Sequence, residues 1–184
     1  MKQDGKFTTY KMVFVGIMAA IIYVVTMFRF PLLGSKVHFA NAMCLLSGLL
    51  FGPLYGGLAA GLGSALNDAL YGGYDVIQSL ITFVMKFAMA WVCAKIAFGK
   101  ESRRRIVIGS IVGAFSYVAL YMGKTFVYQR FVYGFPHDAV WATMLAKLPA
   151  SLINAVFALI VTPILYAALR PTLARAGILD KLKS

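Results

Sequence analysis

The sequence predicts an all-α integral membrane bundle of six transmembrane helices, with both termini on the cytoplasmic side. Three observations predict it. Of 184 residues, 61% are hydrophobic and 13% are charged, against about 45–50% and about 25% in an ordinary soluble domain. The apolar residues gather into stretches close to the roughly 20 residues that a helix needs to cross a bilayer. The basic residues behind the net charge of +12 fall between and beyond those stretches. No nucleic-acid-binding motif surrounds them, so the charge points to lipid headgroups and away from nucleic acid.

Taken in order, the spans are 9–28, 39–51, 54–71, 76–98, 106–128 and 149–169. The first is apolar to its C-terminal side and lacks a small-residue cleavage site, which marks a retained span rather than a signal peptide. Gly52 and Pro53 leave a minimal turn, so spans two and three are adjacent and antiparallel. Pro149 suits the first turn of the sixth span, where proline sacrifices no helical hydrogen bond. That leaves 129–148 as an external connection with a short interfacial helix around Trp141.

Orientation follows from Lys and Arg, which concentrate in cytoplasmic loops. With the N-terminus inside, Lys2, Lys6, Lys11, Lys95, Lys100, Arg103, Arg104, Arg105, Arg170, Arg175, Lys181 and Lys183 are cytoplasmic, against Arg29, Lys36, Arg130 and Lys147 outside. Cys44 and Cys93 both lie within apolar segments, where small buried hydrophobes are expected rather than a disulfide or a metal site.

Positions i, i+3, i+4 and i+7 share a helix face, so polar residues at those spacings in an apolar span point together into the bundle. Span three gives Ser64, Asn67, Asp68 and Tyr71, and span four gives Asp75, Gln78, Thr82 and Lys86. Span five gives Tyr117, Tyr121, Lys124 and Tyr128, and span six gives Ser151 and Asn154. Asp68 is the only charged side chain between Phe39 and Tyr71, and an intramembrane acid faces a cavity or a partner. The stripes converge toward the outer half of the bundle, as a pocket opening outward requires. Each polar residue also has a purely structural use, since Lys86 can pair with Asp68, and Asn67 or Asn154 can bridge helices. Phe39, Tyr71, Tyr74, Tyr121 and Tyr128 suit a flat ring by stacking, or an interfacial aromatic belt.

The connection 29–38, RFPLLGSKVH, is long enough to fold over such a pocket, and Pro31 and Gly34 make it non-helical. Arg29, Pro31, Lys36, His38 and Phe39 are therefore lid candidates. His38 has no second histidine or thiol at metal-ligand spacing, so no metal and no other cofactor is expected. Gly123, Lys124 and Thr125 look like the end of a phosphate-binding loop, but the motif needs glycine where Val118 stands. Without an ATP site or a paired nucleophile and base, catalysis is not expected. In span one, Gly16 and Ala20 are four apart with Val15 and Ala19 beside them. Such a strip of small residues lets another helix approach closely, within the chain or on a second membrane protein.

At this point the residues look familiar. Asn41, the run LLSGLLFGPLYGG, and then Gly61, Gly63 and Asp68 resemble the substrate-binding S component of energy-coupling factor (ECF) vitamin transporters, riboflavin-type branch. The segment ITFVMK with Lys86 and the segment LPASLINAV with Pro149 and Asn154 extend the resemblance over nearly the whole chain. Two departures are visible: span six has Ala150 and Asn154 where asparagine and glutamine are expected, and Gly16 replaces the first alanine of an AxxxA docking motif. The resemblance implies a bacterial cytoplasmic-membrane protein that binds a vitamin without hydrolysing ATP. It implies partners too, a transmembrane coupling subunit and two ATPase subunits, with Gly16, Ala19 and Ala20 as the docking strip.

The expected substrate contacts are Asn41, Asn67, Asp68, Gln78, Lys86, Tyr121, Lys124 and Asn154. Asp68 suits ligand hydroxyl or ring N–H groups, and Lys86 or Lys124 an electronegative ring atom, a carboxylate or a phosphate. The residues suit any flat heteroaromatic ligand, and the family resemblance leans toward a vitamin B6 or riboflavin-like compound. Two other readings compete: a stand-alone proton-coupled transporter working through Asp68 and Lys86, and a membrane scaffold that binds no small molecule.

Overall fold

The computed structural model describes residues 9–32, 35–100 and 102–183. Lys2, Lys6, Gly34 and the side chain of Lys183 lie outside what it describes. Helix α1 (Thr9–Met27) turns one stripe inward, with Lys11, Val15, Met18, Ala19, Ile22 and Thr26 buried. Its other face leaves Met12, Val13, Ile17, Ile21 and Val24 exposed. An apolar outer face of this kind continues around the bundle through Leu66, Val84, Ile108, Phe115, Ile153 and Ile160. Such a surface is a liability in water and the expected boundary with lipid.

The connection after α1 is a β-hairpin, β1 (Arg29–Leu32) and β2 (Ser35–His38), antiparallel with Arg29 opposite His38 and Phe30 opposite Val37. Pro31 is tolerated because β1 is an edge strand. The expected non-helical segment is thus an ordered two-stranded flap.

Spans two and three are the two limbs of one element, α2 (Ala40–Leu70), broken at Gly52, whose φ of 83° is the left-handed region that favours glycine. Pro53 follows at the first position of the second limb, with its φ already suited to a helix. The limbs fold back on each other tightly. A Cβ on Gly56 would stand 2.6 Å from Gly48 Cα and would also meet Ser47 O. Ser47 Oγ lies 2.7 Å from Cys44 O and 2.8 Å from Gly56 O, so its single proton serves both carbonyls across the reversal.

Helix α3 (Val76–Ala97) starts at Asp75, whose carboxylate accepts from Gln78 N at 2.7 Å and from Gln78 Nε2 at 3.0 Å. Helix α4 (Arg103–Val127) runs on into a wider π turn at Tyr128–Val132. Helix α5 (His137–Arg175) contains Pro149, Pro163 and Pro171, and a short α6 (Ile178–Lys183) follows. The helix that carries the sixth span therefore begins at His137 and not at Pro149, and the expected external connection 129–148 is mostly helix. An interior proline removes one hydrogen bond and bends a helix without necessarily ending it, and membrane helices accommodate such breaks. Pro136 and Asp138 supply the start instead.

Five of these helices are long and apolar enough to cross a membrane, α2 counted once despite its break. Ile22, Leu45, Leu46, Met89, Cys44 and Cys93 are fully buried at the centre, the two cysteines as free thiols.

Candidate functional site

The polar stripes meet at one end of the bundle around a cavity of about 440 Å³. Its walls come from the end of α1, the hairpin, the second limb of α2, the middle of α3, the end of α4 and the first half of α5. Arg103, Arg104 and Arg105 begin α4, whereas Tyr121 and Lys124 near its other end line the cavity. The basic run and the cavity therefore lie at opposite ends of the bundle.

Lys86, 3% exposed, forms the inner wall. Its ammonium donates to Asn41 Oδ1 and sits 3.9 Å from the centroid of the Tyr117 ring. The bond goes to Asn41 and not to Asp68, so the acid and the amine are separate elements of the lining. Tyr117 and Tyr121, one turn apart on α4, stack at 6.2 Å with planes 20° apart. The rim carries further cation–ring pairs. Arg29 lies 5.0 Å from the Tyr71 centroid and donates to Tyr71 O at 3.1 Å. Lys36 lies 5.1 Å and Lys124 5.7 Å from the Tyr74 centroid.

The flap is fastened to α5 by one side chain. Asn154 Oδ1 accepts from His38 N at 2.8 Å, and Asn154 Nδ2 donates to Lys36 O at 2.8 Å. His38 sits at the closure with a buried Nδ1 that has no hydrogen-bond partner among the described residues. Burial, reinforced by the positive charges of Lys86 and Arg29, pushes its imidazole down to about 3, so it is neutral at ordinary pH. Lys36 is also pushed below the usual lysine value, chiefly by burial and then by Arg29, with Asp68 opposing.

Replacing Asn154 by alanine removes both bonds, each worth about 0.5–1.5 kcal/mol net. We expect backbone amides of 35–38 to exchange faster with solvent, and bound ligand to leave about tenfold sooner. Unchanged exchange at the His38 amide in the alanine variant would show that the flap is held some other way.

Of the expected contacts, Asp68, Lys86, Tyr121, Lys124 and Asn154 line the cavity, as do Arg29, Pro31, Lys36 and His38 of the flap. The other expected contacts are placed elsewhere. Asn41 lies behind Lys86 as its acceptor. Asn67 donates to Tyr23 O at 3.0 Å and ties α2 to α1. Gln78 closes the cap of α3. Phe39 packs against Phe157 with centroids 4.5 Å apart. On α1, Gly16 and Ala20 face outward while Ala19 is buried.

The lining also includes Thr26, Leu32, Met85 and Lys147, which the stripes do not mark. Lys147 is legible once α5 starts at His137, because Lys147, Ser151 and Asn154 then share a face at i, i+4 and i+7. Met85 carries no polar signal that could have flagged it.

No curated protein matches the chain. Among solved structures, one described as "Structure and mechanism of the S component of a bacterial ECF transporter" is similar with a TM-score of 0.70 at 20% identity, over 89% of this chain and 96% of that one. At that identity the likeness shows a shared fold. The family described as "ECF-type riboflavin transporter, S component" matches residues 6–171, from before α1 to within the last turns of α5. The chain is therefore a member of the S-component family of ECF transporters, whose members are substrate-binding membrane subunits.

Proposed function

We propose that this S component captures a flat, heteroaromatic vitamin or related micronutrient, of vitamin B6 or riboflavin-like chemistry, at the outer face of a bacterial cytoplasmic membrane. The observation that carries the reading is the cavity of about 440 Å³, which combines stacked tyrosines, Asp68 and several ammonium groups beneath a fastened flap. It falls within the size range of small-molecule sites, roughly 300–1,000 Å³, and has their mixture of apolar walls and a few placed polar groups. The ligand ring lies beside Tyr117 and Tyr121. Asp68 accepts from a hydroxyl or ring N–H, and Lys86 donates to an electronegative ring atom.

The position of the basic run Arg103, Arg104 and Arg105 away from the cavity supports an outward-facing site with both termini in the cytoplasm. Energy for uptake comes from partners, a transmembrane coupling subunit and two ATPase subunits. The exposed strip of Gly16 and Ala20 on α1 supports docking there, since a Cβ on Gly16 would meet nothing within 4 Å and a partner helix can approach closely.

The test is a thermal-shift screen of the purified chain against a panel of vitamins, followed by calorimetry on any compound that stabilises it. Stabilisation of several degrees by one heteroaromatic vitamin is expected, because a ligand at about 100 times its Kd adds about 2.7 kcal/mol to stability. If no vitamin shifts the transition, the reading fails.

A further inference from the structure

The charge of the cavity is lopsided. Arg29, Lys36, Lys86, Lys124 and Lys147 line it, and Asp68 is the one carboxylate among the described lining residues. His38 adds no charge, since its imidazole is neutral. Two of the cations donate to a protein oxygen, Lys86 to Asn41 Oδ1 and Arg29 to Tyr71 O. The other three gather on one side. Lys36 and Lys124 both rest on the Tyr74 ring, and Lys147 is close enough to Lys124 for their like charges to repel. Cation–ring contacts hold ammonium groups in position but do not neutralise them. Ammonium groups brought together in a half-buried cavity repel one another more strongly than in water, and Asp68 offsets a single charge.

The chemistry that relieves this arrangement is an anion. We propose that the ligand carries a fixed negative group, a carboxylate or a phosphate ester, which seats between Lys124 and Lys147 with Lys36 of the flap closing over it. This inference rests on the reading that the cavity holds a flat vitamin ring, and it adds the charge of the substituent. Lysines suit such a group as point charges with three donors each, strengthened because both partners are ionised. Because Lys36 lies on β2, the anion also draws the flap shut, so the charged end of the ligand and the closure of the site act together.

The experiment uses the purified full chain and calorimetry with pairs that share a ring and differ in one anionic group: riboflavin and flavin mononucleotide, pyridoxine and pyridoxine 5′-phosphate, nicotinamide and nicotinate. The anionic member of one pair is expected to bind at least about tenfold tighter, with the advantage shrinking as salt rises from about 50 to about 500 mM. The phosphate pairs and the nicotinate pair separate the two kinds of anion. Lys124→Gln combined with Lys147→Gln should erase the preference, and Lys124→Arg with Lys147→Arg should restore it. If, in every pair that binds, the neutral member binds as tightly as its anionic partner or more tightly, the inference is overturned and the vitamin reading stands. If no member of any pair binds, both fall.

Discussion

Replacing Lys86 by alanine is expected to weaken ligand binding by about 100-fold, or about 2.7 kcal/mol, the largest loss from any single change in the cavity. Lys86 is the most deeply placed cation of the lining, and its ammonium has a fixed aim set by Asn41 on one side and the Tyr117 ring on the other. A donor already held in position spends little entropy when the ligand arrives, so its hydrogen bond contributes nearly in full. Alanine removes the donor and leaves Asn41 Oδ1 buried without a partner, which costs about 1–3 kcal/mol of stability.

The two consequences are separable. Calorimetry reads the loss of affinity, and thermal unfolding of the free protein reads the loss of stability. Lys86→Met keeps the length and apolar volume of the stem and removes only the charge and its donors, so it should lose affinity to a similar degree. If the methionine variant binds its vitamin as tightly as the parent, Lys86 serves only to position Asn41 and Tyr117.

The second large effect concerns folding. Gly56→Val is expected to lower the thermal transition by well over 10 °C or to prevent recovery of folded protein, because a Cβ there would overlap both Gly48 Cα and Ser47 O. Every colliding atom is backbone, so no rotamer change relieves the clash. Separating the limbs also breaks the Ser47 hydrogen bond to Gly56 O, which joins the two limbs inside the bundle. Gly16→Val provides the contrast: its Cβ would meet nothing within 4 Å, so thermal stability should change by about 1 kcal/mol or less, the helix-propensity difference alone. Equal destabilisation by the two substitutions would show that the limbs do not pack as described.

Much of the fold was legible as hydropathy, because a span must be apolar along its whole length and the sequence shows where that holds. The fold-back between spans two and three was also legible, since Gly52 followed by Pro53 suits few other conformations. The flap was legible as a break in helix through Pro31 and Gly34, but not as a strand pair. Four-residue strands carry too little alternation to register, and these depend on Asn154, more than 100 residues away, for an edge partner. The start of α5 was misread because proline is good evidence for a first turn and weak evidence against an interior position.

At the site, helical spacing placed Asp68, Lys86, Tyr121, Lys124 and Asn154 correctly toward a shared interior. The same reasoning could not separate a polar group facing a cavity from one used inside the protein. Asn67 and Gln78 show why. Each is a polar residue on the expected face, and each makes a local hydrogen bond that no periodicity reveals.

The Asn154 amide presents an acceptor to His38 N and a donor to Lys36 O, the same pair of groups that a neighbouring strand would offer. A helix side chain thereby stands in for a third strand. What it recognises is main chain, which is identical at every residue but proline. The catch on the flap is therefore indifferent to which side chains the flap carries. Position 36 can exchange lysine for another group and alter what the chamber accepts while the fastening survives, so selectivity and closure can evolve independently on the same four-residue strand.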